Sequence, residues 1–537
     1  MDPSFLPLFL YAETHFRLFG FFPSLLFRRW PEVIFDAPRR LDPGQDLPVL
    51  LLINDIHKFP VEIVEIELAL SCRSQPPKLI KFADIARHEI EHPLSRQCRA
   101  FIFPISRPEI RDGLVFVNGK ATIRIGRRAI SVLNTNLATA TQAPLLCLVS
   151  DIKLPGSEFC SYGDLHVHSH YSRSHIEFGP PIIAIARILK AAGMDFAAIT
   201  DHSYDLACLM DDYLREDPSV ARWKAFQEEL RNTADGVMLA PGEEISCVNA
   251  KGRVVHLLGI GMRDFIPGSA DGARFGRHFK TIPSVREATD EIHRQNALAF
   301  AAHPGNRFGL VQQLIFHRGH WGRDDLDQPL DGMQAINSGF GPSWYNAKRL
   351  WISKLQRGHK CPLIAGNDAH GDFNRYLAIK APFITIYENP DRYLCATRTG
   401  VYGKVRNPAD LYFALRQGKT FVTNGPYLSI CDGVEGWKPL VGNTEIDLKS
   451  HDLSIESISS YDFGAIRSVR LIGWKNGDDG EHIIISRKMA DNAFEFKEKI
   501  ALPQEMIGSG YLRAEVTCVR EDGSTSEAFT SPCYWKG

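Results

Sequence analysis

No two of the eleven cysteines stand as a CxxC pair, and their odd number and scatter give neither a disulfide framework nor a zinc-finger spacing. Buried free thiols in a reducing compartment are expected instead. An excess of charge of either sign is also missing: 62 Lys and Arg meet 63 Asp and Glu, for a net charge of -1. That balance argues against a nucleic-acid or anionic-membrane binder held by bulk electrostatics. Long apolar runs are lacking as well. The nearest approach is the N-terminal MDPSFLPLFLYAETHFRLFGFFPSLLF, in which Asp2 stands where a signal would be basic. Glu13, His15 and Arg17 interrupt it before the roughly 18 apolar residues that a span needs. A cytoplasmic protein without a membrane span is expected. Internal repeats and low-complexity tracts are absent, and 537 residues exceed what one core serves, so several domains are expected.

What is present is an uneven distribution of histidine. Thirteen of nineteen fall between His166 and His370, well under half of the chain. Either side of that window reads as short β-segments. In residues 1–158, VEIVEIELAL, RAFIFPI, GLVFV and ATIRIG alternate between apolar and polar and are punctuated by Pro, Gly and Asp, which predicts a sandwich-like domain. In residues 429–537, LSIESISS, SVRLIGW, HIIISRK and YLRAEVTCV predict a second sandwich. Between them, in 159–428, strand candidates (DLHVH, FAAITDH, VMLAPGEEIS, VVHLLGIG, ALAFAAHP, MQAINS, LIAGNDAH) alternate with helix-period segments (PPIIAIARILKAAG, ARWKAFQEELRN, SVREATDEIHRQN, SWYNAKRLWISKLQR). Such alternation predicts an α/β unit with a parallel sheet. A barrel is favoured over a doubly wound sheet because the polar clusters sit where each strand runs out.

Those clusters are His166 and His168; Asp201-His202; Gly242-Glu243-Glu244; His256; His303; and Asp368 with His370. His166 and His168 at i and i+2 project from one face of a strand, so both imidazoles can reach one ion. Imidazole nitrogen with carboxylate oxygen is the donor set of Zn, Mn or Fe acting as a Lewis acid. Taken singly each has a bland reading: His256 as a core histidine, Asp201-His202 as a helix cap, Ala302-His303-Pro304 as a strand end. Six together do not.

The series DLHVH, TDH, PGEEIS, VHLLG, AHP and GNDAH resembles the PHP (polymerase and histidinol phosphatase) superfamily over roughly residues 160–425. The flanking β segments and GKTFVTNGP are similar to its CehA/McbA-like metallohydrolase branch. The resemblance implies a distorted (β/α)7 barrel flanked by β-sandwiches, and two or three divalent ions (Zn, Mn or Fe). One ion would take His166, His168, Glu244 and Asp368. A second would share Glu244 and add His256 and His303. A third would take His202, His370 and a residue after the first motif. Asp164 and Asp201 would orient imidazoles, as metal sites commonly require. Many relatives follow His-x-His with Ser-Asp-Gly, but here the stretch is Ser172-Arg173-Ser174-His175. His175 is the nearest substitute ligand, with His170 and Glu177 behind it.

The expected activity is hydrolysis of a phosphate ester by a metal-bridging hydroxide, on a small anionic substrate. Arg173, Arg307 and Arg375 are the candidates to hold the phosphate. The alternative keeps the metals and cleaves a carboxylic ester, carbamate or amide, with an apolar slot of Phe340, Trp344 and Tyr345. A binding protein with a decayed centre is the third reading. Arg173→Asp is expected to strengthen metal binding at the third site, measured as an increase in metal bound per chain.

Overall fold

The structure, a computed structural model, describes residues 30–537 except 73–75, 111, 138–139, 173–178, 212–214, 234, 269–281, 310–312, 314–316, 372, 376–377, 382–383, 388–392, 434–437, 449–450, 502–507 and 537. Among the described residues no helix is long and apolar enough to cross a membrane. All eleven cysteines are free thiols, ten of them buried.

The N-terminal strands form two sheets around one core. One sheet orders Glu32–Asp36, Leu47–Asn54, Cys98–Ile105 and Glu89–Ile90. The other orders Arg40–Leu41, Leu145–Val149, Gly113–Ile125, Glu62–Cys72 and Lys78–Lys81, with Arg128–Leu133 paired to Gly113–Ile125. In Gly113–Ile125, buried and half-buried residues alternate, as a strand with one face on the core requires. Val33, Phe35, Leu51, Leu68, Phe101 and Val117 meet between the two sheets. Gly119 has no side chain because Phe35 lies there: a Cβ would sit 2.4 Å from the ring.

From Cys160 onward the chain builds, beside a pair (Ala378–Ala381 and Ile384–Tyr387) and a three-stranded sheet of Tyr427–Asp432, Leu453–Ile458 and Glu495–Lys499, a curled sheet of fifteen strands. Its order is Leu363–Gly366, Gly332–Asn337, Leu298–Ala301, Val254–Ile260, Met238–Val248, Phe196–Ile199, Cys160–Val167, Arg398–Tyr402, Thr420–Thr423, Thr525–Thr530, Gly510–Val519, Ala465–Lys475 and His482–Ala493. Cys533–Trp535 and Gly442–Ile446 complete it. The sheet therefore does not stop at residue 428. Beyond the seven strands that precede residue 367, it runs on through antiparallel pairs into the C-terminal strands.

The expected (β/α)7 barrel is thus overturned. The described chain is predominantly β, with seven α-helices, and the sheet is of mixed direction. Val254–Ile260 is antiparallel to both its neighbours, Met238–Val248 and Leu298–Ala301. The physical reason lies in the connection. Only residues 249–253 join Met238–Val248 to Val254–Ile260, whereas a parallel crossover needs a dozen or more. Five residues turning at Gly252, where φ is +67°, can only make a hairpin.

The local elements nonetheless form where the sequence pattern places them. Ile182–Ala191 buries Ile182, Ile185, Ile188 and Leu189 along one stripe. Val285–Arg294 starts on a capping box of Ser284 and Glu287. Pro342–Gln356 begins with Pro at its first turn and buries Trp344 and Trp351. This helix is tied to the C-terminal strands by Lys348, which with Arg513 reaches Glu515 Oε1, while Arg470 Nη2 reaches Glu515 Oε2 at 3.0 Å. Arg513 also meets Glu481 through Nε and Nη2 at 2.7 and 2.6 Å.

Burial opposes the charge on Glu515, but Arg513 and Lys348 outweigh it and hold the carboxyl at about 2, against an ordinary 4.5. A carboxyl depressed in the folded state adds stability that is full above its unfolded value and is lost as pH falls through the folded one. Glu515→Gln is therefore expected to destabilise the protein by about 3 kcal/mol at neutral pH. In denaturant unfolding, the gap from wild type should narrow from about pH 4.5 downward and close near pH 2.

Candidate metal centre

The curl of the sheet brings distant ligand candidates together. The residues just past Leu363–Gly366 reach the Cys160–Val167 strand: Asp368 N donates to His166 O at 2.8 Å, and His168 N donates to Ala369 O at 2.9 Å. A Cβ on Gly366 would lie 2.4 Å from His166 Cβ, so only glycine lets this crossing close. His202 sits just before the short Ser203–Leu206 helix, and His303 follows Leu298–Ala301. Glu244 and His256 do not end strands as expected. They lie inside the hairpin, where His256 pairs with Ser246, two residues from Glu244, so both side chains face the same side.

Six imidazoles and two carboxylates converge there, each 0–8% exposed: His166, His168, His202, His256, His303, His370, Glu244 and Asp368. Three groups have donor atoms within 4.8 Å of one another: His166, His168, Glu244 and Asp368; Glu244, His256 and His303; and His168, His202 and His370. In the first, His166 Nε2 lies 3.0 Å from His168 Nε2, 3.4 Å from Glu244 Oε2 and 3.5 Å from Asp368 Oδ1. His168 Nε2 lies 3.5 Å from Glu244 Oε2 and 3.1 Å from Asp368 Oδ1. Donors at about 2.0–2.1 Å from a tetrahedral ion are separated by roughly 3.3 Å, so this spacing fits one.

Glu244 is common to two of these groups. Its Oε2 is 2.8 Å from His202 Nδ1, and its Oε1 is 2.6 Å from His256 Nδ1 and 3.0 Å from His303 Nε2. The third group is closed by His202 Nε2 and His370 Nε2 at 3.1 Å, with the His370 ring stacked on His168 at 3.9 Å between centroids.

The field at this point favours a cation. At Glu244 burial opposes ionisation, but His256, His166 and His202 outweigh it and hold the carboxyl well below its usual range. Burial likewise disfavours charge on His166, yet Glu244 and Asp368 raise it. His168 is driven down to about 3, first by burial and then by His202, so its ring is a neutral donor. Gln334 Oε1 accepts from His166 Nδ1 at 2.9 Å, while Gln334 Nε2 donates to Gly366 O. That leaves the lone pair of His166 Nε2 aimed at another imidazole nitrogen and two carboxylate oxygens. The donor set fits a divalent ion.

Strain accompanies the site. His303 and Asp368 adopt φ of +32° and +54°, a left-handed region that costs a non-glycine residue about 1–3 kcal/mol.

Several expected roles change. Among the described residues, Asp164 and Asp201 have no hydrogen bond to an imidazole. Asp164 takes His166 N, Asn367 N, Cys395 N and Asn367 Nδ2, and Asp201 takes Ser169 N, Ser169 Oγ and Ser172 N. They fix the backbone that carries the ligands. Arg375 is not free to hold phosphate: it is fully buried, and its Nε and Nη1 donate to the carbonyls of Phe35, Thr141 and Ala143. Arg307 is exposed beside His320, whose pKa it helps lower after burial. Arg173, His175 and Glu177 lie outside the described residues, and His168 stands in the third group where His175 was expected. His170 turns to Glu229 at 2.8 Å. Glu243 faces the other way and accepts from Ile266 N at 3.1 Å, its pKa raised by burial. The apolar slot does not form: Phe340 and Trp344 pack on Phe529, and Tyr345 is exposed.

Four residues escaped sequence reasoning. Gln334 is a polar side chain between the apolar Met333 and Ala335, a signal that could have been read. Asn337 Nδ2 donates to Asp368 Oδ2 at 3.2 Å. Ser172 Oγ accepts from His202 N and lies 3.1 Å from His168 Nδ1. Arg318, buried in an irregular segment without a motif, donates from Nη1 to His256 Nε2 at 2.6 Å, leaving Nδ1 turned to Glu244.

No protein-family model matches the chain, and no curated protein matches it. Among solved structures, a Bacteroides fragilis protein assigned as a β-galactosidase is 10% identical over 94% of this chain and 73% of its own, with a TM-score of 0.18. A Parabacteroides merdae β-glucuronidase is 11% identical over 94% of this chain, with a TM-score of 0.17. The chain spans 64% of that enzyme, less than two thirds of its length. Superpositions this loose say nothing about the chemistry of the present chain.

Gln334→Ala removes the acceptor that turns His166, and is expected to weaken metal binding about 10–100-fold. Titration of apo-protein with Zn or Mn measures it; unchanged affinity would show that His166 needs no such orientation.

Proposed function

We propose that the chain is a metal-dependent hydrolase that holds two or three divalent ions (Zn, Mn or Fe) on His166, His168, His202, Glu244, His256, His303, Asp368 and His370, and that it cleaves phosphate esters. The observation that supports this reading is the sharing of Glu244 and His168 among three converging donor groups. The order of these residues along the chain resembles that of the PHP superfamily, independently of strand arrangement.

When bound, divalent ions would supply Lewis acidity and bring the pKa of water down to about 7. The chain's residues do the rest. Gln334 and Ser172 present His166 and His168 with their Nε2 atoms inward. Asn337 steadies Asp368, and Arg318, donating to His256 Nε2, leaves the ring proton on Nδ1, where it faces Glu244. Near-complete burial excludes bulk water, so every charge in the centre acts in a low dielectric. A phosphoryl group developing negative charge is favoured by such a site. The buried cation of Arg318 adds to the positive field beside His256, and Arg307, exposed four residues past His303, is our candidate to meet the rest of an anionic substrate.

Turnover of phosphomonoester and phosphodiester panels by Zn, Mn and Fe forms tests the reading. Cleavage of p-nitrophenyl acetate in preference to p-nitrophenyl phosphate would move the bond to a carboxylic ester. No turnover in any metal form would remove the hydrolase. His168→Ala and Glu244→Ala are each expected to lose at least about 100-fold in metal affinity, and activity with it. Either variant retaining both full metal content and turnover would overturn the ligand assignment.

A further inference from the structure

The loop carrying Asp368 and His370 is fastened at two ends by different parts of the chain. The inner end is held by the central sheet. Asn367 Nδ2 donates to Asp164 Oδ2 at 2.6 Å and to Thr397 O at 2.8 Å, and Asp368 N donates to His166 O at 2.8 Å. The outer end is held by the N-terminal sandwich. Phe373 N donates to Asp36 Oδ2 at 3.0 Å. Asn374 pairs with the Leu146 backbone in both directions, accepting from N at 3.0 Å and donating to O at 2.6 Å. Arg375 donates to Phe35 O, Thr141 O and Ala143 O. Phe35 and Asp36 belong to one sheet of the sandwich and Leu146 to the other, so the loop grips both.

His370 lies between these fastenings. Its Nδ1 is 3.0 Å from Asp368 O, Nε2 is 3.1 Å from His202 Nε2, and the chain then turns at Gly371 with φ +85°. Asp368 has its own supports in Asn337 and the His166 carbonyl. Among the described residues, Phe373, Asn374 and Arg375, which follow His370, are tied to the sandwich. Asp36 and Arg375 are enclosed there together: burial drives Asp36 up to about 7 and Arg375 down to about 10, with their mutual attraction working against both shifts.

We infer that the N-terminal sandwich is a working part of the metal centre: through Asp36, Leu146 and the buried Arg375 it positions His370 in the His168–His202–His370 group. This rests on the metal reading above. Arg375 and Asn374 are positioning residues. Their loss loosens one end of a ligand loop, and supporting groups of this kind typically set metal affinity within 10–100-fold.

Metal per chain and metal affinity of the full-length protein, titrated with Zn, provide the test, with folding followed by circular dichroism. Arg375→Met is expected to fold, to bind about one ion fewer per chain than wild type, and to hold that ion about 10–100-fold more weakly, with the Glu244 groups still filled. Asn374→Ala is expected to shift the same ion in the same direction, and decides the question if Arg375→Met does not fold. Arg124→Met, which removes an exposed sandwich ion pair to Glu62, is expected to bind as wild type does. Wild-type stoichiometry and affinity in folded Arg375→Met or Asn374→Ala would overturn the inference while leaving the metal reading intact. Wild-type protein that binds no metal would overturn the reading itself, and the inference with it.

Discussion

A buried carboxylate cannot stand alone: without a partner it costs several kcal/mol, and the fold around it must either neutralise it or surround it with positive charge. Glu244 meets that constraint by placing three imidazoles on one oxygen and two on the other. Those five histidines come from the strand at 160–167 and its continuation, the turn at 202, the hairpin and the end of Leu298–Ala301. No two of these elements can shift independently without uncovering the carboxylate. The curl of the sheet, the glycine at 366 and the left-handed backbone at His303 and Asp368 are all conditions for this convergence.

The same constraint explains why the polar residues around the centre are so specialised. Asp164 and Asp201 are themselves buried acids, and they accept from backbone amides and from Asn367 Nδ2 and Ser169 Oγ. That keeps the histidine nitrogens for the interior. Gln334 and Ser172 then set which nitrogen of His166 and His168 faces inward, and Arg318 does so for His256. Each acts on one ring, through one hydrogen bond.

Much of the local structure was legible in the sequence, because it depends on periodicity over short stretches. The helices at 182–191, 285–294 and 342–356 follow from apolar spacing and capping residues. The convergence of the His and carboxylate side chains was legible because such groups at the ends of apolar runs have few other uses. Strand direction was not read, although the five residues at 249–253 carried the information: the apolar runs on either side look alike in a parallel or an antiparallel sheet. Arg375 was misread because an arginine near a ligand motif looks the same whether it faces substrate or a neighbouring sandwich. Gln334, Asn337 and Arg318 act across long separations in the chain, which no short-range pattern records.

The continuity of the large sheet has a consequence for how the chain can be divided. Thr420–Thr423 pairs on one side with Arg398–Tyr402 and on the other with Thr525–Thr530. A fragment ending near residue 428 would keep every residue of the candidate centre but lose that second partner. Its unpaired amides and carbonyls, flanked by the apolar side chains of Phe421 and Val422, would form a raw edge open to pairing with another copy. The C-terminal strands therefore act as an edge guard, and the smallest unit that holds the centre without a bare edge is larger than the set of residues that compose it.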